Sequence, residues 1–157
     1  MEPIFAHELS ERALKNYKII CKEEKLKNKN AYATTALVCA MLFSVVSFQD
    51  DVIKKVESKG FPKKLRGLKW PNEVEKYIEG NSSFISFITS LRNSVSHNDF
   101  IFIVDVNKKV LGVSFCIELD NSKLELDFLE ENLKEFLEKL TEVYEYYEIE
   151  LKSKPYP

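Results

Sequence analysis

Three side chains near the middle of the chain suit chemistry on a phosphate: Arg92, Asn93 and His97. A histidine titrates near neutral pH and can take or give a proton. An arginine stays charged and offers a planar fork of donors that matches phosphate oxygens. An asparagine can orient a phosphate oxygen or an imidazole. Metal-free cleavage of RNA asks for these functions: a base for the ribose 2′-OH, an acid for the leaving 5′-oxygen, and a cation for the charge that builds on phosphorus. Asn93 and His97 are four residues apart, so on a helix they share a face. Arg92 and His97 are five apart, about 140° around an ideal helix. One copy therefore does not readily aim both at a single phosphate, and one histidine is not at once a separate acid and base. Two copies crossing at this segment would combine an Arg and a His from each. The structural alternative is that Arg92 pairs with an acid at a subunit boundary while His97 caps its helix through backbone bonds.

The element that must position these residues is a charge-poor helix. Arg92 is the only charged residue between Glu79 and Asp99. At the 31% charge of the whole chain, a stretch of that length would hold roughly six. Phe84, Phe87, Ile88, Leu91 and Val95 recur at helical spacing and form its buried face. Ser82, Ser86, Ser90, Asn93 and His97 form the opposite face. Solvated helix faces are usually rich in Lys and Glu, so this small, neutral face reads as a surface to be covered, with a second copy of the chain as the expected cover. Ser82 or Ser83 is placed to cap the helix at its start, and Asn98-Asp99 to stop it.

Arg92-Asn93-x-x-x-His97 resembles the R-x4-6-H signature of the HEPN superfamily, helical domains found in many prokaryotic RNA-cleaving toxins and defence proteins. In that pattern a polar residue follows the arginine, as Asn93 does here. The resemblance implies a mainly α fold, a helical bundle with a small antiparallel β-sheet between the motif helix and the C-terminal helix. It also implies a site at a dimer interface, with Arg92, Asn93 and His97 as catalytic residues, RNA as substrate, no cofactor, and a possible antitoxin or defence partner protein. Some HEPN domains bind or scaffold without cutting, so a non-catalytic nucleotide- or protein-binding module is the alternative. HEPN toxins paired with a nucleotidyltransferase antitoxin usually carry a Tyr two residues after the His. Here Asp99 stands there, so the resemblance does not extend to that pairing. Asp99 would either raise the histidine pKa or repel phosphate.

The rest of the chain agrees with that order. Its 157 residues, 45% apolar with four Gly, suggest one domain over 1–151 and a loose tail over 152–157. A net charge of −2 argues against bulk coating of nucleic acid but leaves room for a local phosphate site. Cys21, Cys39 and Cys116 are an odd set without a C-x-x-C, read as free thiols of a cytoplasmic protein. The amino terminus lacks a signal-peptide pattern. No metal-spaced Cys/His cluster and no glycine-rich phosphate loop occurs.

A first helix is expected over about Ala6 to Lys27, with Leu9, Ala13, Tyr17, Ile20 and Cys21 inward. His7 in its first turn reads as a surface residue. Ala31 to Gln49 contains no charge. Its polar Thr34, Thr35, Ser44 and Ser47 argue against a membrane span, and it reads as a central helix buried all round, with Cys39 as core filler. Val52 to Trp70 is a helix end and a basic loop. Its Lys63, Lys64, Arg66 and Lys69, interleaved with Phe61 and Trp70, are the second RNA-binding candidates beside a plain solvated loop. After the motif, Phe100 to Val106 reads as a strand. The alternation from Leu111 to Asp120 reads as a second strand with one buried face, and Lys123 to Leu126 as a short third. Asp127 with Glu130 resembles a capping box, opening a last helix to about Glu150 with Leu129, Leu133, Phe136, Leu137, Leu140, Tyr144 and Tyr147 inward. The opposite face of that helix is acidic and reads as solvated.

Overall fold

The computed structural model describes residues 6–26, 32–46, 71–75, 77–78, 81–119 and 122–152. The elements are α1 (Ala6–Lys25), α2 (Ala33–Val46), a single turn α3 (Asn72–Glu75), α4 (Asn81–His97), β1 (Phe100–Val104), β2 (Val110–Leu119), β3 (Ser122–Leu129) and α5 (Glu130–Lys152). The fold is mainly α, with a three-stranded antiparallel sheet in the order β1-β2-β3 between the motif helix α4 and the C-terminal helix α5. The expected basic loop, with Lys63, Lys64, Arg66 and Lys69, lies outside the described residues.

The sheet has one face on the helices. Val113 pairs with Phe128, Phe115 with Leu126 and Ile117 with Leu124. Val113, Phe115, Ile117, Leu126 and Phe128 are buried, as alternation requires of a half-buried strand. Helices α2, α4 and α5 pack on β2. Rings join the layers: Phe87 of α4 meets Phe136 of α5 edge-on at 6.2 Å, and Phe136 meets Phe128 of β3 at 5.2 Å. Gly112 lets β3 come close, because a Cβ there would collide with the Phe128 carbonyl oxygen.

Several expectations change. Helix α2 is not buried all round. Ala33, Leu37, Val38, Met41 and Val45 are fully buried, but Phe43 is 53% and Val46 44% exposed, and Cys39 is exposed rather than core filler. Helix α1 turns Tyr17 inward, with Ile20 and Cys21 partly buried against the core as expected, but Ser10 and Leu14 are buried as well while Ala13 is only half-buried. Asp127 does not cap the last helix, and Leu129 is not on its inward stripe but ends β3, 50% exposed. Strand β3 runs on through Asp127, Phe128 and Leu129, because pairing with Ser114, Val113 and Gly112 and the burial of Phe128 outweigh a local cap. At α4 the helix starts at Asn81, which puts Ser82 and Ser83 in its first turn rather than before it.

Glu130, the first residue of α5, ties the helices together. One carboxylate oxygen accepts from the Tyr17 hydroxyl of α1 at 2.5 Å, the other from the Thr34 hydroxyl of α2 at 2.8 Å. Its charge also suits a helix N-terminus. A second tie is buried, with the Ser10 and Ser44 hydroxyls 2.8 Å apart and Tyr144 donating to the Ser44 carbonyl.

Candidate functional site

The charge-poor stretch folds as the 17-residue α4 because its apolar spacing matches the helix period. Phe84, Phe87, Ile88 and Leu91 are fully buried and fix its rotation. The polar side then faces out. Ser86, Asn93 and His97 are exposed. Ser90 is half-buried and donates to the Glu118 carbonyl of β2 at 2.7 Å. The polar face expected from the spacing is therefore present, with Ser90 turned to the sheet; the side chain of Ser82 lies outside the description.

The last turn of α4, which carries the motif, is held at several points. Asn98 has a φ of 61°, in the left-handed region that asparagine tolerates better than most residues. Its N–H donates to the Val95 carbonyl at 3.2 Å, and the Asp99 N–H donates to the Ser94 carbonyl at 2.8 Å. This bond pair is a Schellman stop with asparagine where glycine is usual. The Asp99 carbonyl then accepts twice, from the buried Ser94 hydroxyl at 2.6 Å and from the Cys116 N–H of β2 at 2.9 Å. Helix end and strand start are thus clamped to β2, and His97 sits at the residue just before the stop.

On this frame Asn93 and His97 lie side by side on the outer surface, while half-buried Arg92 lies on the flank of the same turn. Among the described residues, neither Asn93 nor His97 has a side-chain hydrogen-bond partner. The helix end is closed by the backbone of Asn98 and Asp99, so the imidazole is not needed as a cap. What the arrangement offers is a neutral donor-acceptor and an imidazole on one exposed stripe, with a cation to one side. Beside them is an open cleft of about 290 Å³, lined by Asn98, Asp99, Phe100, Ile101, Cys116 and Glu125 among others. Its two carboxylates make it a poor seat for a phosphate, so a phosphodiester would run along the exposed side of α4 instead.

Asn98 and Asp99 stop the helix as their residue types suggest. Ser94 is the residue the spacing does not point to, because nothing local announces that its hydroxyl binds the Asp99 carbonyl. Among the described residues no group of three or more His, Cys, Asp or Glu side chains is placed to hold a metal ion. Cys21, Cys39 and Cys116 are free thiols. No helix among the described residues is long and apolar enough to cross a membrane.

No curated protein and no solved structure matches the chain. Residues 2–151, nearly the whole chain, match the family HEPN pEK499 p136. The outward Arg92-Asn93-x-x-x-His97 motif, the mainly helical fold and that match together place this chain in the HEPN pEK499 p136 family.

Proposed function

We propose that the chain is a metal-independent endoribonuclease that acts as a homodimer in a toxin or phage-defence role. The observation that carries this is the exposed Asn93–His97 stripe on α4, backed by a clamped helix end and free of internal partners among the described residues. In this reading two α4 helices cross through the Ser82–His97 face. One His97 takes the 2′-OH proton and the other protonates the leaving 5′-oxygen. The two Arg92 side chains, on the flanks of their helices, close on the phosphate from either side and hold its developing charge. Asn93 orients a phosphate oxygen or the neighbouring imidazole. The products are a 2′,3′-cyclic phosphate and a 5′-hydroxyl. Lys63, Lys64, Arg66 and Lys69 remain the second RNA-contact candidates, and an antitoxin or defence partner would act by covering α4.

One observation favours a second reading. The carboxylates of Asp99 and Glu125 line the cleft next to His97 and oppose a polyanion there. In the second reading, a non-catalytic module that binds a nucleotide or a protein, a protein ligand would tolerate them better. RNA cleavage in EDTA, comparing wild type with Arg92→Ala and His97→Ala, separates the two. Cyclic-phosphate products that fall at least about 100-fold in both folded variants are expected. Cleavage that survives in both variants would sink the proposal.

A further inference from the structure

The open edge of the sheet offers a second contact. Ile101 is 70% exposed, Phe102 47% and Val104 50%. Among the described residues strand β1 is an outer strand, hydrogen-bonded to β2 on one side. The direction of its backbone groups follows from one bond and the register. The Cys116 N–H donates to the Asp99 carbonyl, and Phe100 to Ile103 pair in step with Phe115 to Gly112. Backbone groups alternate in direction along an antiparallel strand. Asp99, Ile101 and Ile103 therefore turn theirs to β2, while Phe100 and Phe102 turn theirs to the open side. The single irregularity, between Ile103 and Val104, leaves that part regular. Such an edge is a template for another strand unless lysine, proline or an inward charge blunts it. Phe100–Val104 contains none of these.

We propose that this edge pairs antiparallel with β1 of a second copy of the chain, joining two sheets into one. The strand itself argues for that occupant. Phe-Ile-Phe-Ile-Val reads almost the same in both directions. A two-fold axis at Phe102 sets Phe102 across from its own copy, Phe100 across from Val104, and Ile101 across from Ile103. Every facing pair is apolar, and the edge-facing N–H of Phe102 donates to the Phe102 carbonyl of the copy, which returns the same bond. Asp99 and Asp105 bound the strip and oppose each other at its ends, which confines the pairing to these five residues. The contact is distinct from the crossing at α4. A chain that uses both contacts assembles beyond a dimer.

Amide hydrogen exchange on the full chain, at low and high protein concentration and beside sedimentation velocity, tests this. Ile101, bonded to β2, is slow throughout. The Phe100 and Phe102 amides are expected to slow with association, and Phe102→Pro, which removes an edge-facing donor and the ring but no bond to β2, to weaken that association at least about 30-fold. Phe102→Lys keeps the donor but sets like charges at the axis; it should abolish the protection even if the proline variant does not fold. Fast exchange of both amides in the associated protein, or equal protection in a monomer, would overturn the proposal. So would association unchanged by Phe102→Lys. Ser86→Arg, on the α4 face, should leave the β1 protection intact, so failure of the α4 dimer and failure of the β1 pairing give different results.

Discussion

Two helices of this chain carry almost no charge, and their outer surfaces are opposite in kind. Helix α2 shows apolar groups to the outside, with Cys39, Phe43 and Val46 exposed on one side. Helix α4 shows Ser86, Asn93 and His97. Both bury their inner half fully, α2 through Leu37, Val38 and Met41, α4 through Phe84, Phe87 and Leu91. Absence of charge is thus a poor gauge of burial. The same sparse composition makes an apolar outer stripe when β-branched and aromatic residues fill the turn. It makes a small polar face, able to approach a phosphate or another backbone closely, when serines and an asparagine fill it.

The comparison is broken most forcefully from the inside. Phe87→Ala in α4 should cost about 3–5 kcal/mol and Met41→Ala in α2 about 2–5 kcal/mol, read by denaturant unfolding. A loss below about 1 kcal/mol for Met41→Ala would mean that the inner half of α2 is not core.

The ties differ next. Helix α2 depends on a titratable centre, since Thr34 shares Glu130 with Tyr17. Burial, then the hydrogen bond to Glu130, pushes the Tyr17 phenol far above its ordinary 10.0. The neutral phenol is the form the fold favours. Its contribution is complete below the unfolded value of about 10 and declines as pH rises beyond it. Tyr17→Phe should cost about 1 kcal/mol at neutral pH and flatten that alkaline decline. Equal slopes above pH 10 in both proteins would refute the assignment. Helix α4 is held instead by the Ser94 hydroxyl, which has no such dependence.

The smallest effects are on the outer sides. Phe43→Lys and Ser86→Lys should each change stability by no more than about 0.5 kcal/mol, measured on dilute protein. A clearly larger loss for Phe43→Lys would show that the α2 stripe is covered in solution, and would make the two helices alike after all.

Much of the fold was legible because periodicity is local. The stripe of α4, the alternation of β2 and the inward Leu133, Phe136, Leu137, Leu140 and Tyr144 of the last helix follow from spacing, as does the polar side that carries Asn93 and His97. The errors share a cause. At Asp127 a plausible cap competed with a strand, and the winner was chosen by Ser114 and Val113 across the sheet. At Cys39 a charge-free run could not say which side would lack a neighbour. In α1 the burial of Ser10, outside the apolar stripe, goes with its bond to Ser44, 34 residues away.

By itself the sequence determined which residues could do chemistry, that they share a helix, and that Arg92 stands about 140° from His97. Those are consequences of residue type and helix geometry. Tertiary structure decided what lies around them. It clamped Asp99 to Cys116, placed Glu125 in the cleft beside His97, left β1 as an edge and left one side of α2 bare. Each of these depends on a partner distant in sequence, and a local pattern carries no information about which distant group arrives.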